Sequence, residues 1–257
     1  MSRLKEPHFF TDRKPRFLPT VSDEAAYLRL FDRAAAGQLR GEASPTYLAD
    51  PLAPARIARV SPEARIVVVL RDPVARAHSA YWHKVRYGGE TRPFLEALRT
   101  KPPARGDGKQ TPTYLGGGIY AEPIARYLET FGDRLHVLFQ EELAVDTRGE
   151  LRRILEFLGV DAAAADGIRL GVRNATALPR NRVVRRLYRS QRLRSFGARA
   201  VPVPLQPRLE RLLLRRDGVP PLEPEARRLL EEFYAAEPPA LQRLLGRPVP
   251  WAPEPTT

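Results

Sequence analysis

The hydrophobic positions of the chain predict a buried strand followed directly by a helix. Residues 65–70 read Arg-Ile-Val-Val-Val-Leu, and such a β-branched run, apolar on both faces, is typical of a central parallel strand covered by helices. Asp72 is suited to cap the next helix, whose first residue would be Pro73. The side chains that then share one helical face are Val74, Ala77, His78, Tyr81 and Val85. The local unit is therefore strand, sharp turn, helix.

The same alternation returns later in the chain. A helix opened by Pro123 precedes a second apolar strand at Leu135–Phe139. Thr147 and Glu150 have the spacing of a capping box for another helix, which Gly159 would end. Because strands alternate with helices, the pattern predicts an α/β fold with a central, mainly parallel sheet.

Composition limits the class of protein. The chain has 257 residues, 43% of them hydrophobic and 28% charged, and no apolar run approaches the length of a membrane-spanning helix. We expect one domain over residues 1–252, followed by a disordered tail at 253–257. Without cysteine, disulfides and thiolate chemistry are excluded, and the four histidines have no metal-site spacing, so no metal is predicted. The first residues lack the features of a secretory signal, which favours a cytoplasmic location.

Net charge indicates an anionic partner. Forty-three basic residues against thirty acidic ones give +13, and only five of the basic residues are lysines. Arginine suits bidentate binding of phosphate or sulfate, although GC-rich coding bias produces the same preference. Residues 180–199 contain eight arginines and no acidic residue. This basic segment is predicted to be an amphipathic helix that lies at the surface, contacts a membrane or binds a polyanion, and the solvated surface is favoured.

Several short motifs occur in one order along the chain. They are Lys-Glu-Pro-His-Phe-Phe at 5–10, Gly-Glu-Ala-Ser-Pro-Thr-Tyr-Leu at 41–48, Arg-Asp-Pro at 71–73 with Ser79, Gly-Ile-Tyr at 118–120, Phe-Leu-Gly-Val at 157–160, and Leu-Leu-Gly-Arg at 244–247 with Trp251. In these motifs the chain resembles the sulfotransferases that use 3′-phosphoadenosine 5′-phosphosulfate, most closely the heparan-sulfate-type and bacterial branch. The resemblance implies a three-layer, P-loop-like α/β fold. It also implies transfer of a sulfuryl group from that nucleotide co-substrate to an acceptor hydroxyl of a carbohydrate or a small molecule.

The resemblance assigns Glu6 as the general base, because the attacking hydroxyl must lose its proton. Alternatively, Glu6 is a surface residue paired with Lys5. His8 is a secondary candidate that would orient Glu6 or the acceptor. Tyr120 is expected to neighbour the nucleotide or the acceptor.

A second group of residues is predicted to bind the nucleotide. The resemblance implies that Arg71 and Ser79 hold its 3′-phosphate, and the N-terminus of the predicted helix already favours an anion there. The alternative is an Arg-Asp turn followed by an ordinary polar helix face. Arg173 and Arg180 are weaker candidates for further phosphate contacts, or else are surface charges.

The chain departs from the family pattern in two places. Family members begin with a strand and a Pro-Lys-x-Gly-Thr-Thr-like loop for the 5′-phosphosulfate, and this loop is missing before residue 5. We therefore expect either that Met1 is an internal methionine or that the chain is truncated and nearly inactive. Ala43 stands where glycan-modifying relatives often have lysine, which weakens an assignment to heparan sulfate itself.

A second hypothesis belongs to another class of protein. The basic segment would bind nucleic acid or another polyanion, and the α/β body would be a scaffold without catalysis. This hypothesis explains the net charge but not the ordered motifs. The sulfotransferase interpretation predicts no nucleic-acid partner and at most an anionic surface contact through Arg180–Arg199.

Overall fold

The computed structural model describes residues 1–12, 14–15, 19–87, 89–100, 114–169, 178–179, 184, 213–215 and 219–252. The chain divides into two compact units. The first unit comprises Met1–Leu70, Tyr120–Ala162 and Pro239–Val249, and the second comprises Arg71–Ile119, Ala163–Pro238 and Pro250–Thr257. The expected tail and nearly all of the basic segment lie outside the described residues, and the single domain over 1–252 stays a prediction.

Helices make up most of the regular structure. Those in the described residues are α1 (Glu24–Leu28), α2 (Ala53–Val60), α3 (Pro73–Arg86), α4 (Phe94–Arg99), α5 (Ala121–Phe131), α6 (Gln140–Val145), α7 (Thr147–Leu158), α8 (Pro224–Tyr234) and α9 (Glu237–Leu245). None of these described helices has the length and apolar character needed to cross a bilayer.

The strands confirm the predicted parallel pairing. In the first unit β1 (Ile66–Leu70) pairs in parallel with β2 (Leu135–Phe139), with Ile66 opposite Leu135 and Leu70 opposite Phe139. A short antiparallel pair, β3 (Leu178–Pro179) with β4 (Leu214–Arg215), lies in the second unit. Leu70 is buried, but Val69 is 52% exposed. The expectation that helices cover both faces of β1 is therefore wrong at Val69 among the described residues.

An aromatic core holds the first unit together. Its members come from the N-terminal segment, the loop before α2, and helices α1, α2 and α5: Phe10, Tyr27, Tyr47, Ala53, Ile57, Tyr127 and Phe131. Phe10 contacts the Tyr27 and Tyr47 rings edge-on, at centroid distances of 5.0 and 5.6 Å. Aromatic burial of this kind is a major source of core stability. The segment that carries Glu6 is thus fixed to the core by its own neighbouring side chains.

Two helix boundaries differ from the prediction. The α7 cap is Asp146, whose carboxylate accepts the Gly149 N–H at 2.8 Å, while the Thr147 hydroxyl donates to the Leu143 carbonyl. The predicted capping box with Thr147 is therefore wrong by one residue, because Asp is an equally good cap and precedes Thr directly. Helix α5 begins two residues before Pro123.

Helix α3 organises the second unit. The Asp72 carboxylate accepts the Val74 N–H at 2.9 Å, as predicted. Val74, Ala77 and Tyr81 face a core built with α4, α8, Tyr114 and Leu115. Gly118 is required in this unit, because a Cβ there would lie 2.6 Å from the Tyr234 hydroxyl oxygen.

Candidate active site

The backbone at Glu6 and His8 is left-handed. Their φ angles are +54° and +50°, and they are the non-glycine residues with positive φ in the described part of the chain. This conformation costs about 1–3 kcal/mol per residue and persists only where the surrounding structure enforces it. The strain lies at the residue that the sequence assigns as general base.

A segment some 36 to 38 positions further along the chain enforces this turn. The His8 N–H donates to the Ser44 hydroxyl at 3.1 Å, and the His8 Nδ1 lies 2.8 Å from the Thr46 hydroxyl. The Phe9 N–H donates to the Tyr47 hydroxyl at 2.9 Å. The sequence identifies residues 41–48 as a motif but predicts no role for Ser44, Thr46 or Tyr47. The signal for that role was the concentration of three hydroxyl side chains within four positions.

The Glu6 carboxylate is partly accessible and lies between two basic side chains. Its side chain is 28% exposed, with Lys5 Nζ at 3.7 Å and His8 Nε2 at 3.8 Å. Lys5 is 86% exposed, so solvent screens this contact and it contributes little to stability. A carboxylate in this setting is open to an incoming hydroxyl and able to accept its proton.

His8 is buried beside that carboxylate. Its side chain is 3% exposed, and Nε2 has no hydrogen-bond partner among the described residues. Burial lowers the pKa of His8, and the negative charge of Glu6 opposes this effect. The structure thus brings Glu6 and His8 together, with a ring nitrogen facing the carboxylate.

Arg71 and Ser79 lie on the second unit, before and within α3. Both are half-buried, and the side chain of neither forms a hydrogen bond or ion pair with another described residue. The charge of Arg71 reaches His78, the residue before Ser79: burial lowers the pKa of His78, and Arg71 and then Arg227 lower it further. A guanidinium without a carboxylate partner is available to bind an anion.

The N-terminus of α3 offers fewer backbone donors than the sequence predicts. Pro73 has no N–H, and the Val74 N–H is already bonded to Asp72. The Asp72 carboxylate also opposes an anion at this position. An anion beside Arg71 would therefore depend mainly on the side chains of Arg71 and Ser79.

Arg76, on the polar face of α3, has a structural role. Its guanidinium donates to the Tyr114 carbonyl oxygen. Gly117 makes room for this contact, because a Cβ there would lie 2.5 Å from an Arg76 terminal nitrogen. Arg76 thus holds the turn before Gly118 in place.

For the other predicted site residues, Tyr120, Arg173 and Arg180, the structure does not test the proposed contacts. Tyr120 is the N-cap of α5 and is only 4% exposed, so it belongs to the first unit's interior. Its proximity to a nucleotide or an acceptor stays a prediction. Arg173 and Arg180 lie outside the described residues.

Comparison with known proteins gives a consistent result. A family model described as "Sulfotransferase family" matches residues 5–164, more than half of the chain. Heparan sulfate glucosamine 3-O-sulfotransferase 3B1 of Mus musculus is 34% identical over 163 residues, covering 63% of this chain and 40% of the relative. The human 3-O-sulfotransferase 6 is 33% identical over 165 residues, covering 63% and 45%. The chain thus spans less than half the length of these curated relatives.

A solved structure extends the likeness along the chain. The sulfotransferase from Alicyclobacillus acidocaldarius is 27% identical to this chain, with a TM-score of 0.67. The match covers 96% of this chain and 85% of the solved chain. The α/β, P-loop-like fold class expected from the sequence is therefore confirmed. The family match begins at Lys5, beside Glu6, and also contains Arg71 and Ser79. This chain belongs to the sulfotransferase family.

Proposed function

We propose that this protein transfers a sulfuryl group from 3′-phosphoadenosine 5′-phosphosulfate to an acceptor hydroxyl. The observation that carries the proposal is the Glu6 carboxylate, which is partly exposed in a left-handed turn that neighbouring hydroxyls enforce. Structural strain of this kind concentrates at functional positions. Family membership supplies the reaction class.

The proposed reaction requires one proton transfer and one displacement. Glu6 accepts the proton of the acceptor hydroxyl while its oxygen attacks the sulfur in line with the leaving group. The new bond joins acceptor oxygen to sulfur, and the bond from sulfur to the 5′-phosphate oxygen breaks. The products are a sulfate ester and 3′-phosphoadenosine 5′-phosphate. His8 Nε2, 3.8 Å from the carboxylate, restrains the orientation of Glu6.

Donor binding depends on Arg71 and Ser79 in this proposal. The Arg71 guanidinium, without an ion pair among the described residues, offers two parallel N–H donors to the 3′-phosphate. The Ser79 hydroxyl adds a third donor. Tyr120, Arg173 and Arg180 are proposed as further contacts of the nucleotide or the acceptor.

The proposed acceptor is a sugar hydroxyl. The curated relatives are named for heparan sulfate glucosamine, which supports a glycan. Ala43 is exposed and supplies no cation, so we favour a glycan that is less anionic than heparan sulfate.

Transfer of radiolabelled sulfate tests this function. The full chain would be incubated with labelled donor and a panel containing heparan sulfate, an uncharged chitin oligosaccharide and a phenol. Label should appear on one of the two glycans and should depend on Glu6. Absence of transfer to all three, with correctly folded protein, would contradict the proposal.

A further inference from the structure

The hydroxyl groups that hold the Glu6–His8 turn share one further partner. Ser44 Oγ donates to the Glu42 carboxylate at 2.9 Å, and the negative charge of Glu42 also acts on the neighbouring Tyr47 phenol. The proposed sulfuryl transfer, in which Glu6 is the base, does not use the half-buried Glu42 carboxylate. Each hydroxyl has a single hydrogen. Donating that hydrogen to Glu42 leaves the oxygen lone pairs to accept other hydrogen bonds.

Those lone pairs bind consecutive backbone amides. Ser44 Oγ accepts the His8 N–H at 3.1 Å. Tyr47 Oη accepts the Phe9 N–H at 2.9 Å and the Phe10 N–H at 3.4 Å. An ionised carboxylate only accepts hydrogen bonds, so Glu42 holds the Ser44 hydroxyl hydrogen away from the His8 amide. Its negative charge favours the same orientation of the Tyr47 hydroxyl hydrogen. One carboxylate therefore orients the acceptors of three successive N–H groups.

The surroundings of Glu42 distinguish it from an ordinary surface carboxylate. No cationic group of the described chain lies within ion-pair distance of it. The ionisable groups that face it are the Tyr27, Tyr47 and Tyr127 phenols. Burial raises the pKa of Glu42, and the neighbouring Tyr47 and Ser44 hydroxyls oppose that rise. The two hydroxyls are thus what the structure provides to stabilise its charge.

We propose that Glu42 is a positioning residue that acts through Ser44 and Tyr47. It fixes the backbone of residues 8–10 and so keeps Glu6 in the left-handed conformation that presents its carboxylate to the acceptor. The inference rests on the proposed function for its catalytic consequence, but not for the anchoring itself. Loss of Glu42 should lower turnover while leaving binding of the donor unchanged, because Arg71 and Ser79 are independent of this network.

The chain offers a matched control in Tyr27. Its side chain is buried like that of Tyr47, and its ring stacks on Phe9 at 4.4 Å. Its hydroxyl, however, has no hydrogen-bond partner in the described part of the chain. Tyr27→Phe and Tyr47→Phe therefore remove the same atom from the same core, and Tyr47→Phe alone removes an anchor of the turn.

Amide hydrogen exchange measured by NMR tests the anchoring directly. In Glu42→Gln and Tyr47→Phe, the amides of residues 8–10 should exchange about tenfold faster or more, since local opening becomes easier. Amides in α7 should keep their wild-type rates, which separates local loosening from global destabilisation. Tyr27→Phe should leave residues 8–10 unchanged. Wild-type exchange at these amides in both Glu42→Gln and Tyr47→Phe would overturn the proposal.

Steady-state kinetics tests the catalytic consequence. With labelled donor and the best acceptor of the panel, kcat should fall about 10- to 100-fold in Glu42→Gln and Tyr47→Phe, while KM for the donor stays within about twofold. An equal fall in Tyr27→Phe would overturn the positioning role. If the wild-type chain transfers no sulfate, the proposed function fails, and the exchange rates still decide whether Glu42 anchors the turn.

Discussion

The two units use opposite means to present the residues assigned to chemistry and to binding. In the first unit, Glu6 and His8 have left-handed backbones, held by hydroxyls from a distant segment. In the second unit, Arg71 and Ser79 flank and occupy a regular helix with an ordinary Asp72 cap, and their side chains have no partner among the described residues. In the first unit, several hydrogen bonds fix a strained backbone. In the second unit, a regular helix presents the Arg71 and Ser79 side chains, whose donors have no partner among the described residues.

This difference agrees with what each task requires. A general base must be held close to one orientation, because small displacements reduce proton transfer sharply. A phosphate carries several equivalent acceptors, so a long arginine side chain on a regular helix can bind it without backbone strain. Backbone strain is therefore found at Glu6, the proposed base, whose orientation matters. A donor without a partner among the described residues is found at Arg71, the proposed phosphate ligand, whose charge matters.

The largest expected effect comes from the strained turn. Glu6→Gln removes the proposed base but keeps the shape of the side chain, so kcat should fall by roughly two to four orders of magnitude. Affinity for 3′-phosphoadenosine 5′-phosphate, measured by calorimetry, should stay at the wild-type value. Unchanged turnover would remove Glu6 from the mechanism.

The second prediction concerns the regular helix. Arg71→Lys keeps the charge but loses the two-pronged geometry, so binding of 3′-phosphoadenosine 5′-phosphate should weaken by about 1.5–3 kcal/mol. Adenosine 5′-phosphate, which lacks the 3′-phosphate, serves as the control ligand in the same calorimeter. Equal losses for both nucleotides would mean that Arg71 supports the fold and not the phosphate.

The third prediction concerns Glu90, a carboxylate that is paired with Arg92, in contrast to the Arg71 side chain. Hydrogen bonds from the Arg92 side chain, assisted by backbone and Tyr114 donors, lower the pKa of Glu90 to about 2 from its usual 4.5. The ionised carboxylate therefore stabilises the fold above pH 4.5, and this contribution is lost as the pH falls towards 2. Glu90→Gln should lower the free energy of unfolding by about 2 kcal/mol at pH 7.

Urea unfolding at several pH values checks this prediction. The difference between wild type and Glu90→Gln should be complete at neutral pH and should shrink below pH 4.5. A difference that is the same at pH 3 and pH 7 would show that the Glu90 charge contributes nothing. Arg71→Lys is the matched comparison, since replacement of an unpaired cation should change stability little.

The smallest expected effect tests the strain itself. Glycine adopts a positive φ without steric cost, whereas alanine does not. Glu6→Gly should therefore be more stable than Glu6→Ala by about 1 kcal/mol, although both should be inactive. Equal stability of the two variants in urea would indicate that the turn at residue 6 is not strained.

The regular region was the more predictable one. The position of β1, the limits of β2 and the start of α3 followed from a β-branched run, an apolar run and the Asp72-Pro73 cap, all of which are local signals. The α7 cap was misplaced by one residue because Asp146 and Thr147 are both good caps. Local chemistry is thus sufficient for elements, with an error of a residue or two at their ends.

The strained region was not predictable from local chemistry. Glutamate does not favour a positive φ, so only the structure shows the left-handed turn at Glu6 and His8. The groups that enforce it, Ser44 and Tyr47, are distant in the chain. The motif at 5–10 identified the candidate base, and the motif at 41–48 was its unrecognised support. Non-local hydrogen bonds decide this site. The three hydroxyl side chains within residues 44–47 signal a hydrogen-bonding role, but the sequence does not show which backbone amides they bind.

The rate of a single turnover at saturating donor tests the division of labour most directly. Enzyme preloaded with labelled donor would be mixed with excess acceptor, which separates the transfer step from donor binding. We predict that Arg71→Lys transfers label within a few-fold of the wild-type rate, whereas Glu6→Gln is slower by roughly a hundredfold or more. Equal slowing in both variants, or a larger effect at Arg71, would contradict the account.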